Sequence, residues 1–383
     1  MKRRCVGEGS ASFLQLLAAI IVVIICTNNY NMPANMLAIP IHLAENNAAL
    51  SPLTSNWSHQ GMSFTTHYQA PQRTLWQGRH DSPPASCIFQ IIQLVDLTQP
   101  LSLVSAPAFA LLGFSCDEGI RRNLGRTGAA EGPDALRNLL AKTPVHKPDL
   151  QIFDAGNITC RDHDLEAAQA ALGEAVHTLL AHGYTPLLFG GGHEIAWGHY
   201  QGIAKKITNE TLGIINLDTH FDMRPVLEED KGTSGTPFLQ IANAHEKNQR
   251  RFDYNCIGIQ AYGNTRQLYA TAERHHAKTL SADDMQVNPG ASVAFVERVI
   301  QDNQHIYLTL CLDVLAAAYA PGVSAPQPIG LSPWNVIPIL RQAAASGKVI
   351  SYDIAELSPK YDIDSRTVKL ATNFIYEIIH HHV

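Results

Sequence analysis

Eight short apolar runs recur from residue 109 onward and constrain the fold more than any other feature. They are Phe109–Ser115, Leu150–Ala155, Thr185–Phe189, Leu212–Leu217, Tyr254–Ile259, Lys278–Ser281, Ile306–Leu312 and Val349–Ile354. Most are continuous rather than alternating, the pattern of strands covered on both faces. Between them lie helix-like stretches such as Asp164–His182. There Leu165, Ala168, Leu172, Val176, Leu179 and Leu180 share one stripe, and Gly183 follows as a helix stop. Repeated strand–helix alternation predicts an α/β fold of three layers, with a mainly parallel sheet of about eight strands between two helical layers. A closed eight-stranded barrel fits the same periodicity. No Pro/Gly/Ser-rich linker and no fixed-period repeat divides residues 105–383, so one domain is expected there.

Both architectures bind ligands beyond the carboxyl ends of their strands, and the reactive side chains cluster where the apolar runs end. Leu187–Phe189 leads into Gly190-Gly191-Gly192-His193-Glu194, and Gly213–Leu217 into Asp218-Thr219-His220-Phe221-Asp222. Tyr307–Leu310 leads into Cys311-Leu312-Asp313, and Ile350–Tyr352 into Asp353-Ile354-Ala355-Glu356. In extended backbone, Asp218, His220 and Asp222 at i, i+2 and i+4 share one side. Two carboxylates and an imidazole aimed at one point call for a cation, and oxygen with imidazole suits Mn²⁺ or a related divalent ion. A phosphate loop would need Lys and Ser or Thr after the glycines. His193 and Glu194 stand there instead, so the glycines read as a tight turn presenting His193.

These motifs, with Asp313-Val314-Leu315 and the run Ala320-Pro321-Gly322-Val323-Ser324-Ala325-Pro326, resemble the arginase/agmatinase/formimidoylglutamase family over about residues 113–358. Arg121-Arg122-Asn123-Leu124-Gly125-Arg126, Gly190–Gly198 and Leu75-Trp76-Gln77-Gly78-Arg79 are most similar to its formimidoylglutamase branch, an enzyme of histidine breakdown. The resemblance implies two Mn²⁺ ions. His193 and Asp222 would hold one, His220 and Asp313 the other, and Asp218 would bridge them. A second bridging aspartate is expected two residues before Asp313, where this chain has Cys311. A thiolate suits Mn²⁺ less well than a carboxylate does. Cys311 therefore ligates as a thiolate, favours another metal such as Zn²⁺, or leaves the second site weak.

By the same resemblance, water activated between the cations would cleave N-formimidoyl-L-glutamate to L-glutamate and formamide, with Glu356 orienting the amidine. Arginases use a histidine to shuttle the proton, but the matching stretch here reads Ser234-Gly235-Thr236-Pro237-Phe238. The acid that protonates the leaving amine is then Asp222 or a water relay. Two substrate carboxylates call for guanidinium partners, and Arg224, Arg121, Arg122 and Arg126, with Asn123, are the candidates. The alternatives are a guanidino hydrolase that releases urea and a metal-binding scaffold that has lost turnover. His275-His276 and His380-His381-His382 read as solvated rather than ligating, and Trp197 and Trp334 as helix-packing residues.

The net charge of −6 carries no basic patch for nucleic acid and no single-sign run for a membrane surface. A small-molecule substrate is expected, and a homo-oligomer is left open. Seven dispersed cysteines without a C-x-x-C pair point to free thiols in a reducing, cytoplasmic setting. Residues 1–61 differ from the rest: Lys2-Arg3-Arg4 precedes an apolar run, Phe13–Cys26, then an Asn/Ala/Ser-rich stretch. This is the form of a signal-like segment or of sequence translated ahead of a true start at Met62, and the second reading is preferred. The hydrolase domain is expected over residues 62–383.

Overall fold

The structure, a computed structural model, describes residues 64–79, 81–104 and 107–383, within a compact unit spanning residues 59–383. The reading of residues 1–61 lies outside the described residues. Among the described residues every one of the eight apolar runs forms a strand, and two short strands precede them. In chain order the ten are β1 (Tyr68–Gln69), β2 (Gln93–Leu94), β3 (Ala108–Ser115), β4 (Gln151–Thr159) and β5 (Thr185–Gly190). They continue with β6 (Leu212–Leu217), β7 (Asp253–Ile259), β8 (Lys278–Ser281), β9 (His305–Cys311) and β10 (Val349–Ala355). One sheet joins them in the order β1-β4-β3-β5-β10-β9-β6-β7-β8, with β2 also on β4. β1 pairs antiparallel and all other pairs are parallel. The sheet is open, ending at β1 and β8, which excludes the barrel.

Strand periodicity builds both cores. Phe109 and Leu111 of β3 belong to one apolar cluster, while Ala108, Ala110, Leu112 and Phe114 belong to the other. Helices Gly132–Leu140, Ala291–Asp302, Pro333–Ala344 and Arg366–His381 cover the first cluster. Helices Leu165–Ala181, Ile195–Lys206, Pro237–Lys247 and Arg266–Arg274 cover the second. Asp164 starts Leu165–Ala181 by accepting the Ala167 N–H at 3.0 Å. Gly183, at φ +85°, turns the chain out of that helix as expected. Among the described residues, no helix is long and apolar enough to cross a membrane.

Two surface expectations need correction. Trp334 packs against little and is 77% exposed, because it sits in the first turn of its helix; Trp197 does stack on Tyr200. His382 is buried rather than solvated. The helix Arg366–His381 carries it onto the sheet, where its Nδ1 lies 2.9 Å from the Tyr352 hydroxyl and its ring packs on Phe109.

The crossover pattern positions the site. After β5 the chain skips two places to lay down β6, and β9 and β10 later fill the gap. The four strands with acidic or imidazole ends, β5, β10, β9 and β6, are thereby consecutive at the centre of the sheet, where ligands bind in open parallel sheets.

Candidate metal centre

The glycine run after β5 is threaded against the end of β3. Gly191 N–H donates to Phe114 O at 2.9 Å and Gly192 N–H to Cys116 O at 3.1 Å. A Cβ on Gly191 would lie 1.6 Å from the Cys116 carbonyl oxygen, so no side chain fits there. On its other side Gly191 O accepts the Glu356 N–H at 2.8 Å, and Glu356 Oε1 accepts the His193 N–H at 2.9 Å. The ends of β3, β5 and β10 are thus bound together around His193, as the tight-turn reading requires.

Asp218, His220 and Asp222 converge, though by bends rather than in extended backbone. The segment past Leu217 is irregular, and His220 N–H turns back to Asp218 Oδ1 at 2.7 Å. Asp222 sits at φ +46° and Glu356 at φ +71°. Both are non-glycine residues in the left-handed region, a cost on the order of 1–3 kcal/mol each that surrounding structure must sustain. The strain falls on two carboxylates that face the site.

The acids and imidazoles form two groups sharing one residue. His193 Nδ1 lies 2.9 Å from Asp218 Oδ2 and 3.0 Å from Asp222 Oδ2. His220 Nδ1 lies 3.2 Å from Asp313 Oδ2 and 3.5 Å from Asp218 Oδ1. Asp218 therefore turns one oxygen to each imidazole. His193 Nδ1, Asp313 Oδ1 and Glu356 Oε2 are buried without an aligned hydrogen bond, although buried polar atoms are nearly always bonded. Clustered donor atoms with unsatisfied lone pairs fit divalent cations. Ligand-capable atoms of His193, Asp218 and Cys311 lie within 4.8 Å of one another, as do those of Asp218, His220 and Asp313.

The electrostatics match. Burial, then the Asp218 charge, push Asp222 up to about 6. Burial raises Asp313, with the Asp218 charge adding to it. It raises Glu356 well above the carboxylate range, helped by Asp313 and Glu194. Burial also opposes ionisation of Asp218, but hydrogen bonds to His193 and His220 outweigh it and hold its carboxyl below the usual range. The Cys311 thiol is pushed well up by burial and by the charges of Asp218, Asp313, Glu356 and Asp222. A cation among these groups would favour every charged form.

A cavity of about 330 Å³ opens onto this cluster. His220, Asp222, Cys311, Asp313 and Glu356 line it, while Asn123, Arg126, Arg224 and Ser234 are on its wall. His193 and Asp218 lie behind. The five expected substrate-binding residues divide. Arg224 is exposed, and among the described residues its guanidinium has no hydrogen-bond or ion-pair partner. Asn123 Nδ2 donates to Ser234 Oγ at 3.1 Å. Arg126 reaches Val323 O at 2.6 Å and Ser324 O at 3.1 Å and stacks over Tyr361, so it holds the Val323–Ser324 loop. Arg121 and Arg122 are not on the cavity wall. Arg121 is bidentate to Glu118, and Arg122 joins Glu118 to Glu166 and the Gly232 carbonyl. Glu118, three and four residues before them, was the sequence signal for that pairing.

The arginase family model matches residues 107–381. A formimidoylglutamase of Legionella pneumophila strain Lens is 45% identical over 315 residues, 82% of this chain and 98% of the relative. One from Geobacillus kaustophilus strain HTA426 is 41% identical over 320 residues, 82% of this chain and 97% of the relative. The crystal structure of Trypanosoma cruzi formiminoglutamase with Mn²⁺ superposes with a TM-score of 0.66 at 27% identity, over 71% of this chain and 92% of that one. The chain belongs to the arginase family.

Proposed function

We propose that the chain hydrolyses N-formimidoyl-L-glutamate to L-glutamate and formamide at a centre that holds two Mn²⁺ ions. The observation that carries the metal reading is Asp218, whose two oxygens face two separate imidazoles, each accompanied by a further carboxylate. His193, Asp218 and Asp222 would hold one ion, and Asp218, His220 and Asp313 the other. Cys311 lies beside both groups and would bridge them only as a thiolate, which the adjacent cations favour. Bound among these residues, the cations would supply the Lewis acidity that makes water nucleophilic near neutral pH. The Mn²⁺ and formimidoylglutamase names of the relatives support metal and substrate alike.

The chain's own groups supply the rest. Glu356 is fixed by the His193 N–H at one oxygen and leaves the other unsatisfied on the cavity side. An amidinium arriving there restores its charge and is oriented by it. Among the described residues Arg224 is the guanidinium of the wall without a partner, and it would take a glutamyl carboxylate. The leaving glutamate nitrogen needs a proton. His220, the imidazole of the cavity, is engaged by Asp218 and Asp313, so Asp222 or a water relay donates it.

The test is product release by the full chain loaded with Mn²⁺. Formamide and glutamate from N-formimidoyl-L-glutamate, with no urea from agmatine or arginine, is the expected result. Urea would overturn the substrate, and metal uptake without turnover on any of them would favour a lapsed scaffold.

A further inference from the structure

Beneath the metal centre, between β9, β10 and the helix Ile195–Lys206, lies a buried polar chain that the reaction does not use directly. His193 Nε2 is 3.0 Å from Thr309 Oγ1, and Thr309 Oγ1 donates to Asp353 Oδ1 at 2.5 Å. The other carboxylate oxygen, Asp353 Oδ2, accepts from His199 Nδ1 at 2.7 Å and from the Tyr307 hydroxyl. His199 Nε2 is in turn 2.5 Å from Ser351 Oγ. His199, Thr309, Ser351 and Asp353 are fully buried, and Tyr307 is too.

Ser351, His199 and Asp353 have the connectivity of a nucleophilic triad. All three are 0% exposed, and Ser351 Oγ also donates to the Pro186 carbonyl at 3.2 Å, so no substrate reaches it. The direction of the hydrogen bonds points elsewhere. The Thr309 hydroxyl spends its one proton on Asp353 Oδ1. The Thr309 oxygen is then left to accept, and the proton it accepts is the one on His193 Nε2. With Nε2 protonated, the neutral ring carries its lone pair on Nδ1, the atom that lies 2.9–3.0 Å from the oxygens of Asp218 and Asp222.

We propose that Asp353, acting through Thr309, is a positioning residue that fixes the His193 tautomer and aims Nδ1 at the first cation, and that His199 and Tyr307 hold Asp353 for this task. The inference rests on the metal reading above. It makes metal affinity depend on a carboxylate two side chains away from the ion, in the way that outer hydrogen bonds orient ligating imidazoles elsewhere.

The experiment is titration of the metal-free full chain with Mn²⁺, followed by calorimetry and by loss of the free-ion EPR signal, with circular dichroism as the folding check. Thr309→Val keeps the shape and removes the hydroxyl. One class of site should weaken by about 10–100-fold, while Thr309→Ser keeps parental affinity. Asp353→Asn, which keeps the shape but weakens the acceptor, should lose affinity in the same direction and serves if the Val variant does not fold. A folded Thr309→Val, or in its place Asp353→Asn, that binds Mn²⁺ as tightly as the parent overturns the proposal. A parent chain that takes up no Mn²⁺ instead overturns the metal reading on which it rests.

Discussion

Two clusters of buried charge sit at opposite places in this sheet and are treated in opposite ways. Between β4 and the helix Gly132–Leu140, Arg137 and Asp154 are 1% and 0% exposed. Arg137 gives Asp154 three contacts of 2.9–3.1 Å and turns its remaining protons to Asn157 Oδ1 and Gly156 O, both at 2.7 Å. Asp154 also receives Trp76 Nε1 at 2.7 Å and Gly156 N at 3.0 Å. No atom there is left over. At the ends of β5, β6, β9 and β10, by contrast, lone pairs face lone pairs, and His193 Nδ1, Asp313 Oδ1 and Glu356 Oε2 have no aligned partner. A buried ion pair whose partners are complete serves the fold, whereas a buried group short of positive charge is waiting for a ligand.

Substitutions that cross the comparison break it most directly. Asp218→Asn removes the shared carboxylate, and turnover should fall roughly a thousandfold or more, since Lewis-acid stabilisation is worth several kcal/mol. Mn²⁺ should raise the melting temperature of the parent by binding the folded state, and that rise should vanish in Asp218→Asn. Arg137→Met strands Asp154 and should cost about 3–5 kcal/mol in urea unfolding, yet the Mn²⁺-induced rise should survive. A melting curve for Arg137→Met equal to the parent's would show that the satisfied pair is dispensable. Mn²⁺ protection retained by Asp218→Asn would show that the cation site lies elsewhere.

The sequence made one half of this contrast readable. Strands buried on both faces print as continuous apolar runs, and ligands follow such runs, so β3–β10 and the set His193, Asp218, His220, Asp222, Asp313 and Glu356 are visible in one dimension. The two-residue strands β1 and β2 carry no period to detect. Partners distant in sequence were hidden as well: beside Glu118, whose i,i+4 spacing was visible, Arg122 also pairs with Glu166, 44 residues on. Thr309 and His199 carried no signal, because a hydroxyl in an apolar strand and an imidazole in a helix acquire their meaning only when Asp353 lies between them. His382 was hidden by its place near the chain end, where residues are usually solvated.

His382 offers a smaller effect with a defined pH window. Burial lowers its pKa from 6.5 to about 4, with Lys147 adding to the effect. Between those values the unfolded chain binds the proton and the folded chain does not, so stability rises with pH. The contribution is fully present above about 6.5 and is lost as pH falls through about 4; it is on the order of 3 kcal/mol. The difference in unfolding free energy between the parent and His382→Phe should grow across that window. A difference flat from pH 4 to 6.5 would show the imidazole titrating as it does in the unfolded chain.

Arginine gives the finest test, because the same side chain occurs in both settings. Arg121 is bidentate to Glu118 at 2.6 Å through each nitrogen, whereas Arg224 faces the cavity with no partner among the described residues. A guanidinium already matched to a carboxylate has little to offer a second one, so Arg121→Met should leave KM for N-formimidoyl-L-glutamate within about twofold. Arg224→Met removes a charged hydrogen-bonding group, worth about 1.5–3 kcal/mol, and should raise KM roughly 10–100-fold with a smaller change in kcat. Because the carboxylate it meets lies away from the reacting carbon, its loss weakens ground state and transition state together. Parental KM in Arg224→Met would move substrate recognition to Arg126, at the cost of its hold on Val323 and Ser324. A fall confined to kcat would place Arg224 at the reacting carbon rather than at the carboxylate.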